Sequence, residues 1–403
     1  MKKRDLYLSQ LLNFKDKPVI KVITGIRRCG KSSLLSLYRE QLLAEGIVEH
    51  AIIQINFESL AFDSIKDYRD LYEYVKGKIS TSGKTYILLD EVQQVSEWEK
   101  SVNSFLVDFN VDLTITGSNA YLLSSELSTL LSGRYVEIKM LPLSFKEYLD
   151  FMEVPPKADK RPHFNRYLEF GGFPSICELD NRESIIRPFL SGIYNTVIMK
   201  DVIQRNQVRD AALLENVVKY VVENIGSPVS TKKISDYLTS HGRKTTSDTI
   251  DNYLRMLENA FILYKASRFD LKGKMQLKTL EKYYVVDTGI RNDLLGFRGA
   301  DYGHILENVV YFELLRQGYQ VSVGKIGTLE VDFIATKPET KLYVQVCASI
   351  LDEATLEREL RPLQAIPDHY EKIILTMDQP LIRDYGGIHC KNLMDFLLMG
   401  DGD

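Results

Sequence analysis

Over residues 1–150 short apolar blocks alternate with longer amphipathic stretches. Val19–Thr24, Ala51–Asn56, Thr85–Asp90, Asp112–Thr116 and Tyr135–Met140 are largely apolar and rich in β-branched or aromatic residues. Strands without polar alternation are covered on both faces, as in a parallel sheet. Between them, Ser32–Leu43, Ile65–Ile79, Ser96–Val107 and Ala120–Leu131 carry hydrophobic residues at the spacing of one helix face. The alternation predicts an α/β fold with a doubly wound parallel sheet.

The pattern then changes twice. A Pro-rich, charged stretch (Pro155, Pro156, Lys157, Asp159, Lys160, Arg161, Pro162) reads as a loop, followed by helical sequence broken at Gly171-Gly172-Phe173-Pro174. Residues 151–204 are expected to form a helical lid or connector. In 205–288, a helix (Ala211–Ile225) precedes a short helix capped at Ser230 or Thr231. A third helix follows with Ile250, Tyr253, Leu254 and Leu257 on one face. Strand-like Ile262–Arg268 and Tyr283–Val286 flank a basic turn, which completes a winged-helix pattern. Residues 289–403 read as a separate α/β domain: a helix at Ile305–Arg316, strands at Gln320–Val323, Glu330–Ala335 and Leu342–Ala348, then helix, strand and helix.

Composition narrows the class. The 403 residues are 44% hydrophobic and 26% charged, the balance of a folded globular chain with room for several domains. No apolar run approaches the roughly 18 residues of a membrane span. The basic start, Met1 to Arg4, is followed by Asp5, Gln10 and Asn13 in place of an unbroken apolar segment, so no secretory leader is expected. Four cysteines without a CxxC pair and six histidines without HExxH argue against a disulfide framework or a dedicated zinc centre. The expectation is a cytoplasmic protein. Net charge is −4, but Arg205–Lys282 holds 14 Lys/Arg against 9 Asp/Glu, an excess of five positive charges.

Candidate chemistry begins at Gly25-Ile26-Arg27-Arg28-Cys29-Gly30-Lys31-Ser32, which fits GxxxxGK[ST] between an apolar strand and an amphipathic helix. Such a loop wraps backbone N–H groups and a helix N-terminus around phosphates. Lys31 would reach the β- and γ-phosphates of ATP, Ser32 would offer its hydroxyl to Mg²⁺, and Ser33 continues the first helical turn. Arg27 and Arg28 count among the nucleotide-binding positions of the loop, and their side chains, which the motif leaves ambiguous, face solvent by default. The run Tyr86-Ile87-Leu88-Leu89-Asp90-Glu91 delivers carboxylates to the C-terminal edge of a buried strand. There Asp90 would hold Mg²⁺ through water and Glu91 would polarise the attacking water. Thr114–Asn119 ends another strand in small polar residues, with Ser118 or Asn119 as the group that senses the γ-phosphate. Arg134 is either an ordinary surface residue or a source of positive charge to the transition state, in cis or from a neighbouring subunit.

These motifs, with Leu131-Ser132-Gly133-Arg134, Pro142-Leu143-Ser144-Phe145-Lys146-Glu147 and Gly171-Gly172-Phe173-Pro174, come in an order that resembles the prokaryotic AAA-type ATPases of the archaeal-ATPase-like group, which carry a C-terminal domain of unknown function. The resemblance spans the whole chain. It implies an AAA+ core with strand order 5-1-4-3-2 and Glu91 as the hydrolytic residue, and it supplies no substrate.

Two outlying clusters remain. Arg243, Lys244 and Arg255 lie near the third helix of the winged-helix segment, and Lys272 and Lys274 in its wing, a set suited to DNA phosphates. In the C-terminal domain, Glu307, Asp332 and Gln345 fall in the order of the metal-binding positions of the PD-(D/E)xK nuclease fold, which the domain resembles. Cys347 stands where that fold has its lysine, and a thiol cannot replace an ammonium beside a phosphate. A nuclease-like fold without cleavage, available to a protein partner, is therefore expected. The whole reads as an ATP- and Mg²⁺-dependent ATPase that engages nucleic acid or protein, possible as a homo-oligomer. The alternative is a slow nucleotide-gated switch that signals through protein contacts.

Overall fold

The computed structural model describes residues 2–80, 83–120, 131, 133–179, 182–380 and 382–399, side chains at 278, 279 and 300 excepted. The chain divides into two units, residues 1–142 with 259–261, and the remainder.

The first unit runs α1 (Asp5–Asn13), β1 (Ile20–Thr24), α2 (Lys31–Ala44), β2 (Ile52–Asn56), α3 (Tyr68–Lys76), β3 (Thr85–Asp90), α4 (Trp98–Asp108), β4 (Val111–Gly117) and β5 (Tyr135–Lys139). The five strands form one sheet in the order β2-β3-β4-β1-β5, and every neighbouring pair is parallel. This is the order expected from the resemblance. Strands β1 and β3 are buried along their whole length, which is why their sequences do not alternate. On one face Val22, Ile55, Ile87, Leu89 and Ile115 pack with Leu71, Val75, Val102 and Phe105 of the helices. Lys21 interrupts β1 at no cost to the pattern because its ammonium is paired with Asp112 of β4, both side chains being fully buried. Register then sets the position of the site. Thr24 lies opposite Gly117, and Leu89 opposite Ile115, so β1, β4 and β3 end side by side. The helix expected at Ala120–Leu131 falls on 121–130, outside the described residues.

The second unit contains α5 (Phe145–Phe151), α6 (Arg161–Phe170), α7 (Glu183–Thr196) with a π-helical continuation over Val197–Gln204, α8 (Ala211–Glu223), α9 (Thr231–Ser240), α10 (Ser247–Asn259), β6 (Leu263–Asp270), β7 (Met275–Val285), α11 (Thr288–Leu295), α12 (Tyr302–Arg316), β8 (Gln320–Ile326), β9 (Leu329–Thr336), β10 (Lys341–Cys347), α13 (Glu353–Gln364), β11 (Glu371–Thr376), β12 (Ile388–Asn392) and α14 (Leu393–Leu398). Ser230 caps α9 by accepting the Lys233 N–H at 3.2 Å. Helices α8 to α10, the antiparallel β6–β7 ribbon and a bridge from Val229 to Glu281 make the winged helix. The ribbon does not stop there. The far end of β6, Arg268–Asp270, pairs in parallel with Val323–Lys325 of β8, and a seven-stranded sheet runs β12-β11-β10-β9-β8-β6-β7. An open strand edge offers unpaired backbone groups to whatever strand reaches it, and β8 does so here. The boundary expected at 288/289 is thus crossed by continuous hydrogen bonding.

Gly171-Gly172-Phe173-Pro174 also has a tertiary explanation. Gly171 sits at φ +80°, and a Cβ there would lie 1.9 Å from Oδ1 of Asp287. The Gly172 N–H donates to Asp287 Oδ2 at 2.7 Å, and the Gly172 carbonyl accepts the Leu143 N–H at 2.7 Å. The motif therefore ties the start of the unit to the N-cap of α11, where Asp287 also accepts the Gly289 N–H at 2.9 Å. Burial pushes the Asp287 carboxyl up to about 6, although the N–H groups of Gly172, Gly289 and Ile290 pull it down. The folded state therefore holds this proton more tightly than the unfolded chain does. The stability this gives is complete below the ordinary value of 3.8, and is lost as pH rises to about 6. In denaturant titrations, wild type relative to Asp287→Asn should lose on the order of 3 kcal/mol between about pH 4 and 6.5. Parallel curves would mean that the carboxyl stays ionised in the fold.

Candidate nucleotide site

The loop from β1 to α2 is shaped by its neighbours. Gly25 adopts φ +146°, and a Cβ there would lie 2.1 Å from the Met140 carbonyl oxygen, so the position accepts no side chain. Ile26 and Cys29 are fully buried and anchor the loop, with the Cys29 N–H donating to the Ile26 carbonyl at 3.3 Å. Burial pushes the Cys29 thiol up, which makes it a packing group and not a nucleophile. Arg27 is not solvent-facing as expected: it is partly covered and pairs with Glu58 at 3.0 Å. Arg28 is exposed, at φ +65°. Gly30 is the N-cap of α2, and Ser32 and Ser33 are exposed on its first turn.

Lys31 is only 4% exposed. Its Nζ donates to the carbonyls of Gly25 at 3.0 Å and Ile26 at 3.2 Å, and stands 3.7 Å from Glu91 Oε1. Across from it, Asp90 is held on both oxygens. Oδ1 accepts the Thr116 hydroxyl at 2.5 Å and Oδ2 accepts the Asn56 amide at 3.0 Å. The Thr116 hydroxyl in turn accepts the Glu91 N–H at 3.0 Å, so one side chain fixes both acids. Asn56 lies opposite Asp90 in the β2–β3 register. Glu91 takes left-handed backbone angles, φ +55°, and its Oε2 accepts from Gln93 and, at 3.2 Å, from Ser118. Ser118 is fully buried and Asn119 is 3% exposed beside it in sequence. Sequence reasoning left these two open. The structure joins Ser118 to Glu91.

The two carboxyls are tuned in opposite senses. Burial pushes Asp90 up, and the Thr116 and Ser32 hydroxyls offset only part of this. Burial pushes Glu91 up as well, but the Lys31 ammonium, Gln93, Arg27 and Ser118 together take it below the ordinary carboxyl range. The donor set fits a Mg²⁺ nucleotide. The cation is hard and prefers oxygen, which the Ser32 hydroxyl and Asp90 carboxyl offer side by side. Bound there, Mg²⁺ would neutralise phosphate charge. Left-handed residues at Arg28 and Gly30 within the turn curl the backbone, as anion-binding nests require.

Arg134 stands apart. It precedes β5, its carbonyl accepts the Ile20 N–H at 2.8 Å, and its side chain is exposed. Because β5 runs parallel to β1, Arg134 is at the N-terminal edge of the sheet. The phosphate loop leaves the other end of a five-residue strand, about 16 Å away. This placement does not support action within one chain, and leaves an ordinary surface residue or a contribution from a neighbouring subunit.

In the winged-helix segment, Arg243, Lys244, Lys272 and Lys274 are exposed. The third helix itself is not basic. Within α10, Asp248, Asp251 and Glu258 outnumber Arg255, and Arg255 is engaged with Asp251 at 3.3 Å and with Asn252 at 2.5 Å. The basic residues belong to the turn before α10 and to the wing.

Glu307, Asp332 and Gln345 do converge, on a cavity of about 970 Å³. Gln345 is engaged at both ends by its neighbours: Oε1 accepts the Asp332 N–H at 2.8 Å and Nε2 donates to Glu359 at 2.8 Å. Cys347 is buried, which pushes its thiol up to about 12. Cys347 holds the place of the fold's lysine, as the sequence reads, but Lys282 of β7 brings an ammonium to the cluster from another strand. It is 2% exposed, 3.0 Å from Glu307 Oε1 and 2.9 Å from Glu330 Oε1. Burial works against its charge, but Glu307, Asp332 and Glu330 more than offset this and hold it ionised. Among the described residues no group of three or more His, Cys, Asp or Glu is arranged to hold a metal ion. Nor is any helix among them long and apolar enough to cross a membrane.

Comparison with known proteins matches this geometry. A family model described as an AAA domain covers residues 17–149, and one described as a domain of unknown function covers 161–301. The chain is 44% identical over 399 residues to an uncharacterized protein of Haemophilus influenzae, with 98% of each chain covered. It is 32% identical over 370 residues to an uncharacterized protein of Methanocaldococcus jannaschii, covering 88% of this chain and 78% of that one. Among solved structures, a Walker-type ATPase of Pyrococcus abyssi covers 73% of this chain and 96% of its own at a TM-score of 0.53. At 17% identity that is a likeness of fold.

Proposed function

We propose, from the AAA domain matched over residues 17–149, that this chain is an AAA-type P-loop ATPase of the archaeal-ATPase-like group, which hydrolyses Mg²⁺-ATP and uses its nucleotide state to engage a partner. One observation supports this most: Lys31, Asp90, Glu91, Thr116 and Ser118 form a single buried network at the ends of three adjacent strands. In the proposed roles, Lys31 meets the β- and γ-phosphates, while Ser32 and Asp90 hold Mg²⁺. Glu91 is lowered into its ionised form and accepts a proton from the attacking water. Ser118 links the γ-phosphate position to Glu91, with Asn119 beside it. Arg134, at the far edge of the sheet, serves only across an interface between copies of the chain.

The partner reading turns on charge. The exposed lysines and arginines of the turn and wing suit nucleic-acid phosphates. The acidic balance of α10 opposes its entry into a groove, and favours the second reading, a slow switch that acts through protein contacts. The C-terminal cavity has the same leaning, because Glu307, Glu330, Glu357 and Glu359 outnumber Arg358 and Arg361 along its lining and disfavour a phosphate backbone.

Steady-state phosphate release from Mg²⁺-ATP, with and without double-stranded DNA and with Glu91→Gln as the blank, tests both levels. Wild type should release phosphate above the blank, at a rate that DNA leaves unchanged. Stimulation by DNA would transfer the partner role to Arg243, Lys244, Lys272 and Lys274. No release above the blank would remove the ATPase reading.

A further inference from the structure

The phosphate loop is gripped from behind by a residue outside every motif. Arg4 precedes α1 and is 4% exposed. Its Nη1 donates to the Cys29 carbonyl at 3.0 Å and to the Leu141 carbonyl at 2.8 Å, and Nη2 donates to the Pro142 carbonyl at 3.3 Å. The guanidinium lies 4.6 Å from the centre of the Tyr7 ring, and the Tyr7 hydroxyl accepts the Leu141 N–H at 3.1 Å. Burying a guanidinium is costly unless its N–H groups are bonded. Here its acceptors come from two separate segments, the nucleotide loop and the stretch just after β5. The same stretch also closes on the loop directly, since the Met140 N–H donates to the Thr24 carbonyl at 2.7 Å.

Peptide geometry carries the contact through to the phosphate side. In a trans peptide the carbonyl and the following N–H point in opposite directions. Arg4 holds the Cys29 carbonyl, so the Gly30 N–H is turned away from Arg4. Gly30 is the N-cap of α2, where backbone N–H groups face a bound anion. The bond from a cationic donor also polarises that peptide and makes its N–H a better donor. We infer that Arg4 is a positioning residue for the nucleotide: it sets the Cys29–Gly30 peptide so that the Gly30 N–H meets the phosphates. The role needs a fork. An ammonium presents one nitrogen, whereas the guanidinium holds Cys29 and Leu141 through Nη1 and Pro142 through Nη2 in one fixed plane.

The inference rests on the ATP-site reading, and one experiment separates the two. Full-length wild type, Arg4→Lys, Arg4→Met and Lys31→Ala are compared by thermal melting, by calorimetric titration with ATP, and by steady-state kinetics. Spectra of ¹⁵N-glycine-labelled protein follow the Gly30 amide. Arg4→Met should weaken ATP binding about tenfold, with KM rising in step and kcat changing less. The Gly30 amide should shift on ATP addition in wild type and fail to reach that shift in Arg4→Met. Arg4→Lys should recover thermal stability but only part of the affinity. A merely structural role would lower the melting temperature and leave KM and the Gly30 shift as in wild type. Folded Arg4→Met that binds ATP as wild type does would overturn the inference while leaving the ATP site intact. Should Arg4→Met not fold, wild-type affinity in Arg4→Lys overturns it equally. Wild type that binds no more ATP than Lys31→Ala would remove the site reading and this inference with it.

Discussion

Lys31→Ala should weaken ATP binding by about a hundredfold or more in calorimetry. The side chain is only 4% exposed and bonds two loop carbonyls, with the Glu91 carboxylate 3.7 Å away. It is therefore already desolvated and pointed before a phosphate arrives, which is the state in which a charge-assisted hydrogen bond is strongest. Truncation of one partner of such a buried charge pair costs about 2–5 kcal/mol, or roughly thirtyfold to several thousandfold in affinity. The substitution also reaches Glu91. Lys31 is the foremost of the groups that hold the Glu91 carboxyl down against burial, so its loss should raise that carboxyl. Unchanged affinity in a folded variant would sink the assignment of the loop.

Glu91→Gln should leave ATP bound and cut hydrolysis by about 10²–10⁴-fold. The substitution keeps shape. The Gln oxygen can still accept the Ser118 hydroxyl, and the backbone N–H still reaches Thr116, so the network that holds the site survives. What disappears is the negative charge and, with it, the capacity to take a proton from water. Removal of a carboxylate from beside the phosphates also relieves like-charge repulsion, so affinity should hold or improve. Single-turnover phosphate release checks the rate, and calorimetry on the same preparation checks binding. Turnover at the wild-type rate would assign the water to another residue.

The contrast between these residues and Arg4 shows where local sequence stops being informative. A phosphate loop works through consecutive residues between a strand and a helix, and the carboxylates of Asp90 and Glu91 follow an apolar strand within the same short run. Their spacing along the chain is their spacing in space. Thr116 and Asn56 carry no such signal. Each lies on a strand beside β3, and only the register makes Asn56 the neighbour of Asp90 and Thr116 the bridge to Glu91. The faint cue available was that both are polar residues at the ends of apolar strands. Ser118 and Asn119 were indistinguishable in sequence because side-chain direction past a strand end depends on the turn.

Lys282, Arg134 and the Gly-Gly-Phe-Pro motif fail for related reasons. Lys282 belongs to the wing in sequence and to the carboxylate cluster in space, because β6 pairs with β8 and fuses two sheets. Arg134 could sit at either edge of the sheet as far as the sequence goes, and the parallel register of β5 decides which. Gly171 and Gly172 look like helix breakers until Asp287, 115 residues beyond Gly172, is seen filling the space of a side chain at 171, and the Leu143 carbonyl that of one at 172.

By itself, then, the sequence determined the parallel α/β core, the phosphate loop and the acidic strand end, since periodicity and short-range spacing encode them directly. Tertiary structure alone decided which side chains steady the acids, which cation enters the C-terminal cluster, which edge Arg134 occupies and what grips the loop from behind. Those outcomes depend on strand order and register. These are set by the packing of the whole sheet and leave no mark at any single position along the chain.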